Sequence, residues 1–206
     1  MAWQPDYVSS AELKSFLRID DTTDDIELAV AITAASRAID NHTHRQFGLV
    51  ASAEDRYYKP EWSPKLRRWV IPIDDLMTET GLVINADLDD DDTYDDAIDA
   101  YALRPVNAAA KGKPWTHVVV KPTSANLPSA AANMLVEVAA RYGWTTVPVA
   151  IEQATLLQAS RFHARRFSPY GIAGSPDEGS ELRLLARVDP DVAVSLSSYV
   201  RWWAAA

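Results

Sequence analysis

Residues 86–96, ADLDDDDTYDD, hold seven carboxylates in eleven positions, and Asp99 follows shortly. Such density can ligate a hard cation, share protons between acids, or keep a loop in water. An EF-hand calcium loop takes oxygens at positions 1, 3 and 5, glycine at 6 and a bidentate glutamate at 12. Counted from Asp87, the residues Asp87, Asp89, Asp91 and Asp95 supply oxygens, but position 6 is Asp92 and position 12 is Ile98. Two defining residues are missing, so these four aspartates are weak metal candidates. A solvated hairpin tip with loose ion association is the simpler expectation. Acid–base catalysis needs carboxylates whose surroundings push their pKa values apart, and a run of like aspartates offers no such asymmetry.

The remaining reactive side chains point away from catalysis. His42 and His44 in NHTHRQF stand two apart, which puts them on different faces of a helix, and no third histidine is near. With Arg45 they suit a helix C-terminus, where cations complement the dipole. Arg161, Arg165 and Arg166 crowd the end of another helical stretch. They read as a basic helix end, as a phosphate patch, or as a contact surface for an acidic partner. Tyr199, Trp202 and Trp203 are interface candidates, because tryptophan and tyrosine are enriched among binding anchors. The alternative is that the two tryptophans fold back onto their own bundle. There is no nucleophile elbow or phosphate-binding loop and there are no cysteines. An enzyme, a cofactor and a disulfide are therefore not expected.

These residues sit on elements legible from periodicity. The chain has 206 residues, 48% of them hydrophobic, enough for a substantial core. Its net charge is −9, and residues 87–99 hold eight aspartates without one cation, so the rest is nearly neutral. That balance disfavours a general polyanion binder. The opening MAWQPDYVSS lacks a basic region followed by an apolar run, and no membrane-length apolar segment occurs, so neither a signal peptide nor a membrane anchor is expected.

SSAELKSFLRI predicts a helix opened by a Ser9–Glu12 capping box, with Leu13, Phe16 and Leu17 on one face. A second helix is expected after a Thr22 or Thr23 cap, buried along Leu28, Ile32, Ala35 and Ile39. From about residue 49, the segments DRYYKP, RRWVIPI, TGLVINADL, AYALRP, WTHVVVKP and NMLVEVAARYGW are rich in β-branched and aromatic residues and predict five or six mostly antiparallel strands. Residues 105–114 read as a loop. Helix returns after Pro148, apolar on nearly every side through Leu157. A turn-rich stretch over 168–181 follows. A last helix, with Asp189 as cap and Pro190 in its first turn, places Val192, Leu196 and Tyr199 on one face. The expected class is α+β: a helical bundle from both chain ends (1–48 and 145–206) around an inserted β module (49–144) with an acidic hairpin loop at 86–99.

The N-terminal block YVSSAELKSFLRIDDTTDDIELAVAITAASRAIDNHTHRQF resembles the first helix pair of head–tail connector, or adaptor, proteins of tailed bacteriophages. The matching residues are Leu13, Lys14, Leu17, Arg18, Ile19, Asp20, Asp24, Asp25, Ala35, Ser36, Ile39, Asp40, Arg45 and Phe47; the glycine often found before that arginine is His44 here. YALRPVNAAAKGKPWTHVVV, GWTTVPVAIEQATLLQASRFHARRFSPYGIAG and DPDVAVSLSSYVRWW resemble later blocks of the versions in actinobacterial phages. Relatives often carry a D.DGDG-like turn where this chain has its aspartate run.

The resemblance implies a virion neck protein, assembled in the host cytoplasm. It forms a dodecameric ring on the portal and joins it to a downstream neck (stopper) or tail protein, while DNA passes through the lumen. Its partners are then the portal, neighbouring copies and that next component, with the C-terminal segment as the portal-docking candidate. The acidic loops either face the lumen and repel DNA or face sideways toward Arg161, Arg165 and Arg166 of a neighbour. The competing class is a monomeric nucleic-acid-binding or regulatory module using the basic end of the 148–167 helix.

Overall fold

The computed structural model describes residues 4–129, 134–165, 172–173, 182–183 and 190–201. Two compact units emerge, one from Met1–Phe47 with Val147–Ala206 and one from Gly48–Thr146. The four α-helices and a short two-stranded ribbon belong to the first and the two four-stranded sheets to the second, an α+β chain as its periodicities indicate.

In the helical unit, α1 (Ser10–Leu17) begins with the expected capping box. The Glu12 N–H donates to Ser9 Oγ at 3.3 Å, and the Ser9 N–H donates to Glu12 Oε2 at 2.6 Å, which contributes about 0.5–2 kcal/mol by satisfying two orphan donors. The helix stops where Arg18 turns left-handed at φ 59°. Leu13 is fully buried, but Phe16 is 42% exposed, so the buried face is narrower than spacing alone indicates.

Helix α2 (Asp25–Thr43) buries Leu28, Ile32, Ala35 and Ile39 as read, together with Ala31, Ser36 and Thr43. Its cap is Asp24 rather than Thr22 or Thr23, and Asp24 makes no side-chain capping bond. The threonine is drawn into a tighter turn, the Thr23 N–H donating to Asp21 Oδ1 at 2.9 Å. Helix α3 (Val149–Arg165) follows Pro148, whose carbonyl accepts from the N–H groups of Ile151 and Glu152. It buries Ile151, Ala154, Thr155, Gln158 and Ala159 but leaves Val149 73% and Leu157 39% exposed, so it packs on one side rather than on nearly all. Helix α4 (Pro190–Leu196) buries Val192 and Leu196.

Val8, Leu13, Leu28, Ala31, Ile32, Ala35 and Ala159 form one apolar cluster of this unit. Beside it, the Tyr7 hydroxyl donates to Asp40 and accepts from the Phe47 N–H at 3.0 Å, and Arg37 Nε lies 3.0 Å from Asp40. Within 168–181, where a turn-rich stretch is expected, the two described residues form β9 (Ile172–Ala173), which pairs antiparallel with β10 (Leu182–Arg183).

The β unit has two antiparallel four-stranded sheets. One, in order β1-β8-β4-β5, joins β1 (Glu54–Tyr58), β8 (Val136–Ala140), β4 (Val83–Ala86) and β5 (Asp96–Ala97). The other, in order β2-β3-β7-β6, joins β2 (Glu61–Ser63), β3 (Arg68–Leu76), β7 (Trp115–Val120) and β6 (Tyr101–Arg104). The six expected strands are present, and β2 and β5 are additional. The 105–114 loop contains one 3-10 turn, Ala109–Lys111.

A backbone crossing braces this unit. Gly143 has φ 106°, and a Cβ there would lie 1.9 Å from the Gly48 carbonyl oxygen. Only glycine allows that approach. Around it, the Gly143 N–H donates to the Asp75 carbonyl at 2.6 Å, the Trp144 N–H to the Gly48 carbonyl at 2.8 Å, and Trp144 Nε1 to Asp75 Oδ2 at 2.8 Å.

Candidate interaction surfaces

The aspartate run is the tip of a β4–β5 hairpin with Asn85 opposite Ala97 and Ala86 opposite Asp96. Its carboxylates bind the loop's own backbone. Asp87 accepts N–H bonds from Asp90 at 2.8 Å, Asp91 at 3.2 Å and Asp92 at 2.9 Å. Asp96 accepts from Leu88 at 3.0 Å and Asp91 from Thr93 at 2.8 Å. Short polar side chains commonly close turns in this way. Asp99, past β5, ties the hairpin to the segment after β7, accepting from Ser124 Oγ at 3.1 Å and the Ala125 N–H at 2.9 Å. Tyr94 packs on Tyr57 at 5.0 Å between centroids, and the Tyr57 hydroxyl donates to Glu137 at 3.0 Å.

Asp90 and Asp92 are left-handed at φ 63° and 65°, a conformation glycine adopts most freely. Asp92 thus turns the chain at the position where a calcium loop carries glycine. Carboxylate oxygens of Asp87, Asp89 and Asp91 come within 4.8 Å of one another; Asp95 is not in that group. The Asp89 carboxyl titrates above the usual aspartate range, chiefly because the Asp91 charge lies beside it. Asp99 titrates below, because the Ala125 N–H and the Ser124 hydroxyl stabilise its anion. Three carboxylates can contribute to the oxygen shell of a hard cation, but calcium takes six to eight oxygens.

Arg161 and Arg165 lie in the last two turns of α3, partly buried and both engaged in interactions, so neither is a free cation. Arg166, Trp202 and Trp203 fall outside the described residues. Tyr199 packs edge-on against Phe47 at 5.9 Å, and the Arg201 N–H donates to the Thr43 carbonyl at 2.8 Å. These contacts fasten the chain after α4 to the end of α2. His42 is in the last turn of α2 and His44 is its left-handed C-cap, a helix-terminus placement.

Two surfaces stand out that residue spacing did not single out. On the helical unit, Ile26 and Val30 are 79% and 65% exposed and, with Ala34 and Phe162, line a groove of about 340 Å³. On the β unit, the β2–β3 hairpin carries Lys65, Arg67 and Arg68, with Lys59 just before β2, beside Trp62 and Trp69, whose rings meet edge-to-face at 5.4 Å. The signal lies in KPEWSPKLRRW, four cations against one carboxylate with two interleaved tryptophans, a local basic patch within a chain of net charge −9.

No protein-family model matches this chain, and no curated protein matches it. Solved structures do. One chain from the neck of an empty gene transfer agent (GTA) particle, determined with C6 symmetry, is 20% identical, with a TM-score of 0.59 over 99% of this chain and 96% of that one. A chain from the virion of a native gene transfer agent particle is also 20% identical, with a TM-score of 0.55 over 96% of this chain and 92% of that one. The arrangement of helices and strands in this chain is therefore a fold used, nearly end to end, by a protein of a phage-like particle's neck.

Proposed function

We propose that this chain is a structural subunit of the neck of a phage-like particle, an adaptor whose copies form a ring on the portal and join the capsid vertex to the next neck or tail component. The carrying observation is the full-length likeness in fold to a chain of a gene transfer agent neck, with almost nothing of either chain left over. The four blocks along the chain that resemble phage connectors support the same reading. The proposed ring has twelve copies, a number compatible with the sixfold symmetry of that neck.

The work of such a subunit is assembly, not catalysis. Heterologous contacts between unlike patches close the ring, DNA passes through the lumen, and the protein resides in the virion after assembly in the host cytoplasm. The test is electron microscopy of the full chain mixed with its cognate portal. A coaxial ring stacked on the portal is expected; portal particles without added density, at saturating chain, contradict the proposal.

A further inference from the structure

We infer that the basic β2–β3 hairpin is a docking surface for the acidic β4–β5 hairpin of a second copy of this chain. The inference rests on the ring reading above and says which surfaces close the ring. Residues 59–68 carry Lys59, Lys65, Arg67 and Arg68 against Glu61 alone, whereas residues 87–99 carry eight aspartates and no cation. Lys59, Lys65 and Arg67 are exposed, as are Asp89, Asp90, Asp91, Asp92 and Asp95. Among the described residues none of these groups has an ion-pair partner, and no ion pair joins the two hairpins within one chain. Each copy thus presents two strong, opposite and unneutralised charge patches.

The two hairpins belong to different sheets. β2 is an edge strand of one sheet and β5 an edge strand of the other; with both charged tips exposed, a single copy can offer both at once. A ring needs this property, because a head-to-tail contact joins two unlike patches, and each subunit must give one and receive the other.

A protein partner fits the basic hairpin better than a nucleic acid does. Trp62 and Leu66 are 51% and 50% exposed among the cations, in the manner of interface anchors. The acidic hairpin offers a matching mixture, with Leu88 39% exposed beside its carboxylates. The basic tip is also preorganised. The Arg67 N–H donates to the Ser63 carbonyl at 2.7 Å, and Arg67 is already left-handed at φ 52°, which reduces the ordering cost of docking.

The test is a charge swap read on portal-templated assembly by electron microscopy and sedimentation. One variant carries Lys65→Glu and Arg67→Glu; the other carries Asp89→Lys and Asp91→Lys. Each alone should assemble at least ~10-fold less well than the parent, through like-charge juxtaposition. An equal mixture should restore rings of alternating variants, since each altered hairpin then faces its complement. A milder pair, Lys65→Gln with Arg67→Gln, covers the case in which circular dichroism shows a reversed variant unfolded, and should weaken assembly in the same direction. Normal rings from each variant alone overturn the inference and leave the ring reading standing. Folded variants whose mixture fails to assemble also overturn it. Salt-dependent duplex DNA binding, lost in the Lys65/Arg67 variant while its rings persist, assigns the hairpin to DNA instead. A parent that forms no ring on the portal removes the ring reading and this inference together.

Discussion

The two hairpins of the β unit are opposites in construction as well as in charge. In the acidic one, Asp87 alone gathers three backbone N–H groups, and Asp91 and Asp96 take one each. Part of the aspartate run is therefore a folding device that replaces strand pairing in a nine-residue loop. In the basic one, the side chains of Lys59, Lys65 and Arg67 have no ion-pair partner among the described residues. A tight turn and a Trp62–Trp69 edge contact shape the tip, and Lys59, Lys65 and Arg67 are exposed, whereas Arg68 is half-buried. The comparison teaches that charge density is a poor guide to availability: Asp87 is committed to its own loop, whereas Lys65 and Arg67 are uncommitted.

The largest effect should come from the frame that carries both hairpins. Gly143→Ala forces a Cβ to within 1.9 Å of the Gly48 carbonyl in a backbone at φ 106°. A loss of about 3–5 kcal/mol, from left-handed strain plus overpacking, is expected in denaturant unfolding followed by tryptophan fluorescence. A parent-like midpoint breaks the account of that crossing.

Next, Asp87→Ala should cost about 1–2 kcal/mol by freeing three loop donors, with amide exchange accelerating at Asp90, Asp91 and Asp92. Asp89→Ala, which removes no acceptor from the described loop bonds and relieves the repulsion from Asp91, should not lower the midpoint. Equal effects from the two would erase the distinction between structural and available aspartates.

On the basic side, Trp62→Ala should cost about 1 kcal/mol, the size of an exposed edge-to-face contact, and should not alter exchange in the acidic loop. Smaller still, Asp90→Gly and Asp92→Gly should each raise stability by about 0.5 kcal/mol, relieving left-handed backbone at a small entropic cost.

The subtlest contrast lies within the acidic hairpin and is read by NMR titration. Asp89 titrates above the ordinary aspartate value, so the folded state holds its proton more tightly; its contribution to stability falls as pH rises from the ordinary value through the raised one. Asp99 titrates below, so its contribution is present above the ordinary value and is lost as pH falls through the depressed one. Identical titration of the two contradicts the hydrogen-bond assignments.

Much of this fold was legible because local signals agreed with tertiary ones. The Ser9–Glu12 box and the Leu28–Ile39 stripe are written in spacing, and six strands announce themselves by β-branched and aromatic runs. β2 and β5 were not legible, since Glu61–Ser63 and Asp96–Ala97 have no strand preference and exist only because β3 and β4 offer an edge. The exposure of Phe16, Val149 and Leu157 is likewise a tertiary outcome, because periodicity shows that a face is apolar but not what covers it. The composition of 86–99 marks a hairpin tip, but the use of its side chains on its own backbone depends on the left-handed turns at Asp90 and Asp92, which composition does not show. The basic hairpin is not legible from composition, because its exposure and the lack of ion-pair partners among the described residues are tertiary properties.

The central claim is that these two hairpins are complementary halves of one contact between copies. A cryo-electron microscopy reconstruction of the ring on its portal tests it most directly. The account predicts Lys65 and Arg67 of each copy within ion-pair distance of the aspartates at 89–92 of the next. A ring in which both hairpins face solvent, or in which the basic hairpin grips DNA, contradicts it.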